Sequence, residues 1–548
     1  MKLQNKNIDE EFFSILNAAA KRKFPDSRAE AEVMLDGDLF PNTYRVEKGM
    51  VCGGGKCALL AGVGRMMREP DFCGTFELAR PLNGTYFASH FNNYYASAPI
   101  DEIYFYLCEL AFWGQNALML WYDMHSYEGV DDPASLVMIE RLRTIAIYAK
   151  KLGMKVALVV LTNESFCNSP KEMRGEWIVQ NGYKSEPMGH YHVEICPNKP
   201  GGIETIKEMR KSVIERFCDI EPDYYYVNAY DQGGCTCEKC APWGTCGNIK
   251  AMAALVPLIK EYSPKAEIIF STWGFDSFID GEWDGLFGVF ENMDKRLRSM
   301  ISYIMVQSKI HERIKAGEKT PGGVPLIGFP EVSMMGSVPW GGFGYNGYPD
   351  AVQANFDVFA DFHKGHFQYS EGIFADANQI VNLCIYGGLY PDAKNALRAY
   401  LSHEISEEYA DELLSLALIL NETLLRYRLD PDGIDRTYPP PYNAPHIGEA
   451  VGDDVKFVIV KPDRVVFAAE LAERLNEKIA KTKGNNWRWN IMYLRAKIDL
   501  ELMENGWLIS ERCAGYFDTL RELYHAENSY YCVAPPIKQG HSRATVFR

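Results

Sequence analysis

The chain has 548 residues, 47% of them hydrophobic and 24% charged, which supplies apolar material for a large core and excludes both a small disulfide-held scaffold and a globally disordered chain. Acidic residues outnumber basic ones by 73 to 57, a formal net charge of −16, which repels a phosphate backbone and argues against a nucleic-acid partner. No run of about 18 uncharged apolar residues reads as a membrane span. The first residues are acidic where a signal peptide needs an apolar core, and most of the 14 cysteines are isolated, so the expectation is a reduced, cytoplasmic protein.

In chain order, the pattern predicts an amphipathic helix at 10–22, a strand at Thr43–Glu47, and then a short strand, a glycine turn and a helix across VCGGGKCALLAGVGRMMR at 51–68, with Leu59, Leu60, Val63 and Met67 on one face. Residues 1–82 therefore read as a small α/β domain. From 83 to 392, short apolar or aromatic runs alternate with helical patterns. Strands are predicted at 84–88, 117–122, 155–161, 224–230, 267–272, 301–306, 325–329 and 367–370, and helices at 100–113, 133–152, 202–217, 248–262, 285–298, 349–363 and 376–389. Eight βα units over about 300 residues match a (β/α)8 TIM barrel better than an open doubly wound sheet, and no glycine-rich phosphate turn follows Phe87. Residues 393–548 read as an α-helical domain, with helices at 393–426, 462–482, 487–504 and 509–527 and a Pro-rich linker at 438–442. This domain is expected to line the cleft or form a homodimer interface.

Barrel chemistry sits at the C-terminal ends of the strands. The residues there are His90, Asn92 and Asn93 after the first strand, Trp121, Asp123 and His125 after the second, and Asn163 and Glu164 after the third. Asn228, Asp231 and Gln232 follow the fourth, Trp273 and Asp276 the fifth, Glu331 and Trp340 the seventh, and Tyr369 and Glu371 the eighth. Carboxylates and amides bind hydroxyls, and indoles stack on C–H faces, so this rim suits a neutral polyhydroxyl ligand such as a sugar. Glycoside hydrolysis needs one carboxylic acid for the leaving oxygen and a second group as base or nucleophile. Asp231, Glu331 and Glu371 are the candidates, against the alternatives of a turn cap, a solvated loop acid and a helix cap respectively. His90 and His125 also read as core histidines, and Trp273 and Trp340 as barrel-top packing.

Directly after Asp231 come Cys235, Cys237, Cys240 and Cys246 in the spacing C-x-C-x2-C-x5-C. Four thiolates can close a structural zinc site that would stiffen this loop without activating water; packed thiols or a redox pair are the alternatives. No cofactor is expected in catalysis.

The segment TYRVEKGMVCGGGKCALLAGVGRMMR at 43–68 resembles the small α/β domain that precedes the barrel in β-hexosaminidases and α-glucuronidases, and RPLNGTYFASHFNNYY at 80–95 resembles their first barrel strand. The resemblance spans about residues 40–390 and implies an exo-acting glycoside hydrolase on a hexosaminide or uronide. In retaining hexosaminidases an Asp-Glu pair ends the fourth strand; Asp231 matches the Asp, but Gln232 stands where the acid would be. The acid then falls to Glu331, Glu371 or Asp231, or the chain is a carbohydrate-binding protein that has lost hydrolysis.

Overall fold

A computed structural model describes the chain except for residues 26, 90–92, 188–191, 307, 333–343, 346, 424–425, 429–455, 459–461, 484–485, 506–509 and 526–548. His90, Asn92, Trp340 and the 438–442 linker lie outside the described residues. The chain forms two compact units: Met1–Gln115 with Pro330–Val358 and Gln368–Arg548, and Asn116–Phe329 with Phe359–Phe367. Among the described residues no helix is long and apolar enough to cross a membrane.

The first unit opens with a sheet of β1 (Lys2–Asn5), β2 (Glu30–Leu35), β3 (Thr43–Glu47), β4 (Met50–Gly53) and β5 (Gly74–Glu77), in the order β1-β2-β4-β3-β5. The predicted first helix spans Glu10–Lys23, starts at Asp9, whose carboxylate accepts from the Phe12 amide at 2.8 Å, and buries Phe12 and Leu16. The glycine turn after β4 exists because the chain passes under its neighbours: a Cβ on Gly54 would lie 2.0 Å from the Phe40 carbonyl oxygen. Ten residues further, Gly64 in the helix Lys56–Arg68 leaves room for the Phe112 carbonyl, which a Cβ would approach to 2.3 Å.

Eight strands close the barrel: β6 (Leu82–Phe87), β7 (Ala117–Leu120), β8 (Lys155–Leu161), β9 (Tyr224–Asn228), β10 (Glu267–Ser271), β11 (Ile301–Met305), β12 (Leu326–Gly328) and β13 (His363–Ser370), in the order β10-β11-β12-β13-β6-β7-β8-β9. In the second unit β7 to β12 pair in parallel, with Leu120 beside Leu158 and Leu161 beside Asn228. The C-terminal ends of β7 to β10 thus share one rim. Their residues are buried on both faces, which is why they read as continuous apolar runs such as KVALVVL.

Two helical expectations are corrected. The helix predicted at 285–298 is two, Glu282–Asn292 and Lys295–Ser299, because Asp294 accepts from the Arg296 and Leu297 amides and starts a new helix. The one predicted at 393–426 divides into Ala393–Glu404 and Ala410–Glu422. Further helices follow at Pro462–Lys483, Trp487–Glu504 and Glu511–Leu523, and Arg426–Arg428 pairs antiparallel with Lys456–Val458.

Candidate active site

The second unit gathers ionisable groups where β7 and β8 end. Glu164 anchors them: its carboxylate accepts from the Met124 amide at 2.8 Å, the Arg210 guanidinium at 3.1 Å and the Trp121 indole at 3.4 Å, with His125 Nδ1 at 3.4 Å. Arg210 also donates to the Leu161 carbonyl at 2.9 Å, which ties the helix Gly202–Phe217 to the strand end. Asp123 accepts from the Ser126 hydroxyl at 2.6 Å through Oδ2, and His125 Nε2 lies 3.8 Å from the same oxygen. Its Oδ1 has no hydrogen-bond partner among the described residues.

Burial pushes the Asp123 carboxyl up to about 6, against the pull of His125. His125 moves upward too: burial opposes its charge, but the Glu164 hydrogen bond and the Asp123 carboxylate outweigh it. Asp123 and His125 are therefore a pair able to hold or pass a proton near neutrality. Glu194, fully buried on the excursion between β8 and β9, has two oxygens without a partner among the described residues, and burial pushes it up to about 7.

At the end of β9, Asn228 is buried with an Oδ1 that has no partner among the described residues, Gln232 is buried, and Asp231 is half-buried with φ +83°. A non-glycine residue in that left-handed region is unusual and fixes where Asp231 leaves the strand. Glu282 supports this turn: it accepts from the Tyr230 hydroxyl and the Gly244 amide, each at 2.6 Å, and burial pushes it up to about 7. Asn163 staples the two loops, donating to the Ile195 and Gly234 carbonyls at 3.1 and 2.9 Å and accepting from the Gly234 amide. After β10, Trp273 is half-buried and packs edge-on to Phe329, whereas Asp276 caps the following helix by accepting from the Glu282 amide at 2.8 Å.

The remaining predicted residues lie in the first unit. Asn93 caps the short helix Tyr94–Ser97, accepting from the Tyr95 amide at 3.1 Å, and donates to the Ala88 carbonyl at 2.8 Å, so its amide serves the backbone. Glu331 is half-buried and bridges in parallel to Tyr369. The Tyr369 hydroxyl donates to the buried Glu371 carboxylate at 2.8 Å, and the Tyr524 hydroxyl donates to the Glu371 carbonyl.

The cysteine cluster needs a correction. Cys235, Cys237 and Cys240 come together, but their fourth partner is Cys196, and the ligand atoms of all four lie within 4.8 Å of one another. Cys246 is exposed, sits at the start of the helix Gly247–Tyr262 and is not one of the four. Local spacing cannot reveal Cys196, which arrives from the far end of the 162–201 excursion. Glu194, Arg210 and Glu282 were likewise unforeseen; in sequence Arg210 and Glu282 look like solvated helix charges.

No protein-family model matches the chain, and no curated protein does. Solved glycoside hydrolases share its fold. A family 89 glycoside hydrolase from Clostridium perfringens, described in complex with its substrate GlcNAc-alpha-1,4-galactose, superposes with a TM-score of 0.57 at 13% identity, covering 94% of this chain and 64% of that one. A second structure from Clostridium perfringens, a family 89 glycoside hydrolase with 2-acetamido-1,2-dideoxynojirmycin, gives 0.56 at 12% identity, with 94% and 65% covered. The chain thus spans just under two thirds of those proteins. The GH20 beta-N-acetylhexosaminidase from Streptomyces coelicolor A3(2) gives 0.47 at 12% identity, with 74% and 91% covered. The likeness at these identities is one of fold, a closed parallel barrel.

Proposed function

We propose that the chain is a glycoside hydrolase that removes a terminal sugar, with N-acetylhexosaminides as the first substrate class and uronides the second. The observation that carries this reading is the rim of the second unit: Asp123, a buried carboxyl with an oxygen that has no partner among the described residues, pairs with His125 on a rim that also carries an indole, two strand-end amides and Asp231. Such a rim supplies what glycosidic cleavage requires, a carboxyl that stays partly protonated near neutrality and a second carboxyl. The family 89 structures, described with an acetamido sugar ligand or substrate, support the choice of hexosaminides.

Asp123 and Asp231 are the proposed carboxylates of the reaction, since Glu331 and Glu371 belong to the first unit. Gln232 cannot donate a proton from its amide, so the acid is a different residue from the one that follows the strand-end Asp in hexosaminidases. Trp121, Trp273 and Asn228 are proposed to contact the sugar. An aryl-glycoside panel of N-acetylhexosaminides, uronides and neutral hexoses tests the reading. Turnover of at least one member is expected, with kcat falling about 10²–10⁴-fold in Asp231→Asn; no product from any member overturns it. Gln232 favours one second reading, a sugar-binding protein without turnover, for which calorimetry would show a sugar bound and not consumed.

A further inference from the structure

The cysteine cluster has the dimensions of a metal site. Cys196 Sγ lies 3.8 Å from Cys237 Sγ and 3.7 Å from Cys240 Sγ. A disulfide would bring two sulfurs to about 2.05 Å, and all four thiols are free. Four sulfurs held at about 2.3 Å from one centre, the zinc–thiolate distance, sit about 3.8 Å apart along the edges of a tetrahedron.

Hydrogen-bond donors surround the sulfurs. Backbone amides of Glu176 and Asn198 each donate at 3.4 Å, to Cys235 and Cys196 respectively, and the Asn198 side-chain amide donates to Cys240 at 3.1 Å. Asn198 is itself oriented by Lys250, whose ammonium donates to its oxygen at 2.6 Å. Donors that aim at the sulfurs and a cation behind them are what a doubly negative tetrathiolate centre needs. Three of the sulfur residues are buried and Cys237 is half-buried, which leaves a route for loading.

We propose that Cys196, Cys235, Cys237 and Cys240 bind one zinc ion in a closed tetrahedral thiolate site. With every position filled by sulfur, the ion is structural. It clamps the excursion after β8, which carries Glu194, to the loop after β9, which carries Asp231, and it holds whether or not the barrel hydrolyses glycosides.

The full-length protein, purified without chelator, is expected to carry one zinc per chain by elemental analysis and to release it to a chromogenic indicator when a mercurial titrates four thiols. Cys196→Ser is expected to lose at least nine tenths of the zinc and Cys246→Ser to keep it. Should Cys196→Ser not fold, cobalt replacing zinc in the unaltered chain gives thiolate-to-metal charge-transfer and tetrahedral d–d bands. Three outcomes overturn the proposal: no stoichiometric metal with the four thiols reacting as fast as an exposed cysteine, a disulfide among them by mass spectrometry, or zinc lost from Cys246→Ser and retained by Cys196→Ser. An iron–thiolate spectrum in the purified protein would overturn the choice of zinc.

Discussion

In the first unit, the carboxylates of half-buried Glu109 and of buried Asp376 and Glu404 surround Lys23 and Arg488, and each of their six oxygens has a donor. Arg488 reaches Glu109 and Asp376 at 2.8 Å and Glu404 at 3.3 Å. Lys23 bonds Glu109 and Glu404, the Trp113 indole donates to Glu404, and the Tyr106 and Tyr400 hydroxyls donate to Asp376. In the second unit, Asp123, Glu164 and Glu194 are as deeply buried, yet three of their six oxygens have no partner among the described residues. The ionisation follows the partners. Burial alone would raise all three carboxyls of the first unit; Arg488 and Lys23 together outweigh it at Glu109 and Glu404, which are lowered, whereas at Asp376, which Arg488 alone reaches, burial prevails and the carboxyl is raised; Asp123 and Glu194 have neither cation and are raised. A completed network fastens helices that are distant in sequence, whereas an incomplete one keeps protons available, which is the property a catalytic rim needs.

The largest expected effect breaks the completed network. Arg488→Met removes the cation shared by all three carboxylates and leaves buried charge uncompensated, so unfolding in urea should show a loss of about 3–5 kcal/mol. A loss below about 1 kcal/mol would mean that the network contributes little. Next comes the incomplete cluster, where a deletion should stabilise. The folded chain binds the Asp123 proton more tightly than the unfolded chain, whose carboxyl titrates near 3.8, so its contribution is fully present below that pH and is lost as pH rises through about 6. The gap of about two units, at about 1.4 kcal/mol per unit, amounts to roughly 3 kcal/mol. Asp123→Asn should therefore be more stable than the parent by on the order of 2–3 kcal/mol at pH 8, equal to it near pH 4, and impaired in turnover. A pH-independent difference would remove Asp123 from the strained set.

The contrast between the clusters also marks what was legible in the sequence. Most barrel strands are legible because a strand buried on both faces is a nearly unbroken apolar run, as in KVALVVL at Lys155–Leu161, whereas the polar start of HKGHFQYS hides the first four residues of β13. Strands β1, β2 and β5 escaped notice because they are short and half-exposed, with an alternating burial that only their neighbours in the sheet justify. The division after Glu404 has no glycine or proline to announce it. At the rim, Trp121, Asp123, His125 and Glu164 could be read because each follows its strand directly. Glu194, Arg210 and Cys196 could not, since a long excursion or a helix delivers them, and Arg210 is buried where a helical arginine normally faces water. Local patterning locates a strand end; the partners that set its ionisation arrive through tertiary structure.

The smallest expected effect distinguishes the clusters by the pH at which it shows. The Ser126 hydroxyl donates to Asp123 at 2.6 Å and lowers its affinity for protons, acting on the ionised carboxylate. Ser126→Ala should therefore cost about 0.5–1.5 kcal/mol, the worth of one hydrogen bond, only above about pH 6 where Asp123 is charged, and nothing at pH 4. It should also move the alkaline limb of any pH–rate profile governed by Asp123 to higher pH. Tyr106→Phe supplies the counterpart in the completed network. It removes a donor from Asp376 and an acceptor from the Gln379 amide, and should cost about 1–3 kcal/mol of stability with turnover of the folded protein unchanged. Equal shifts of the pH–rate profile in both variants would erase the distinction, because they would show the rim responding to buried charge anywhere in the chain.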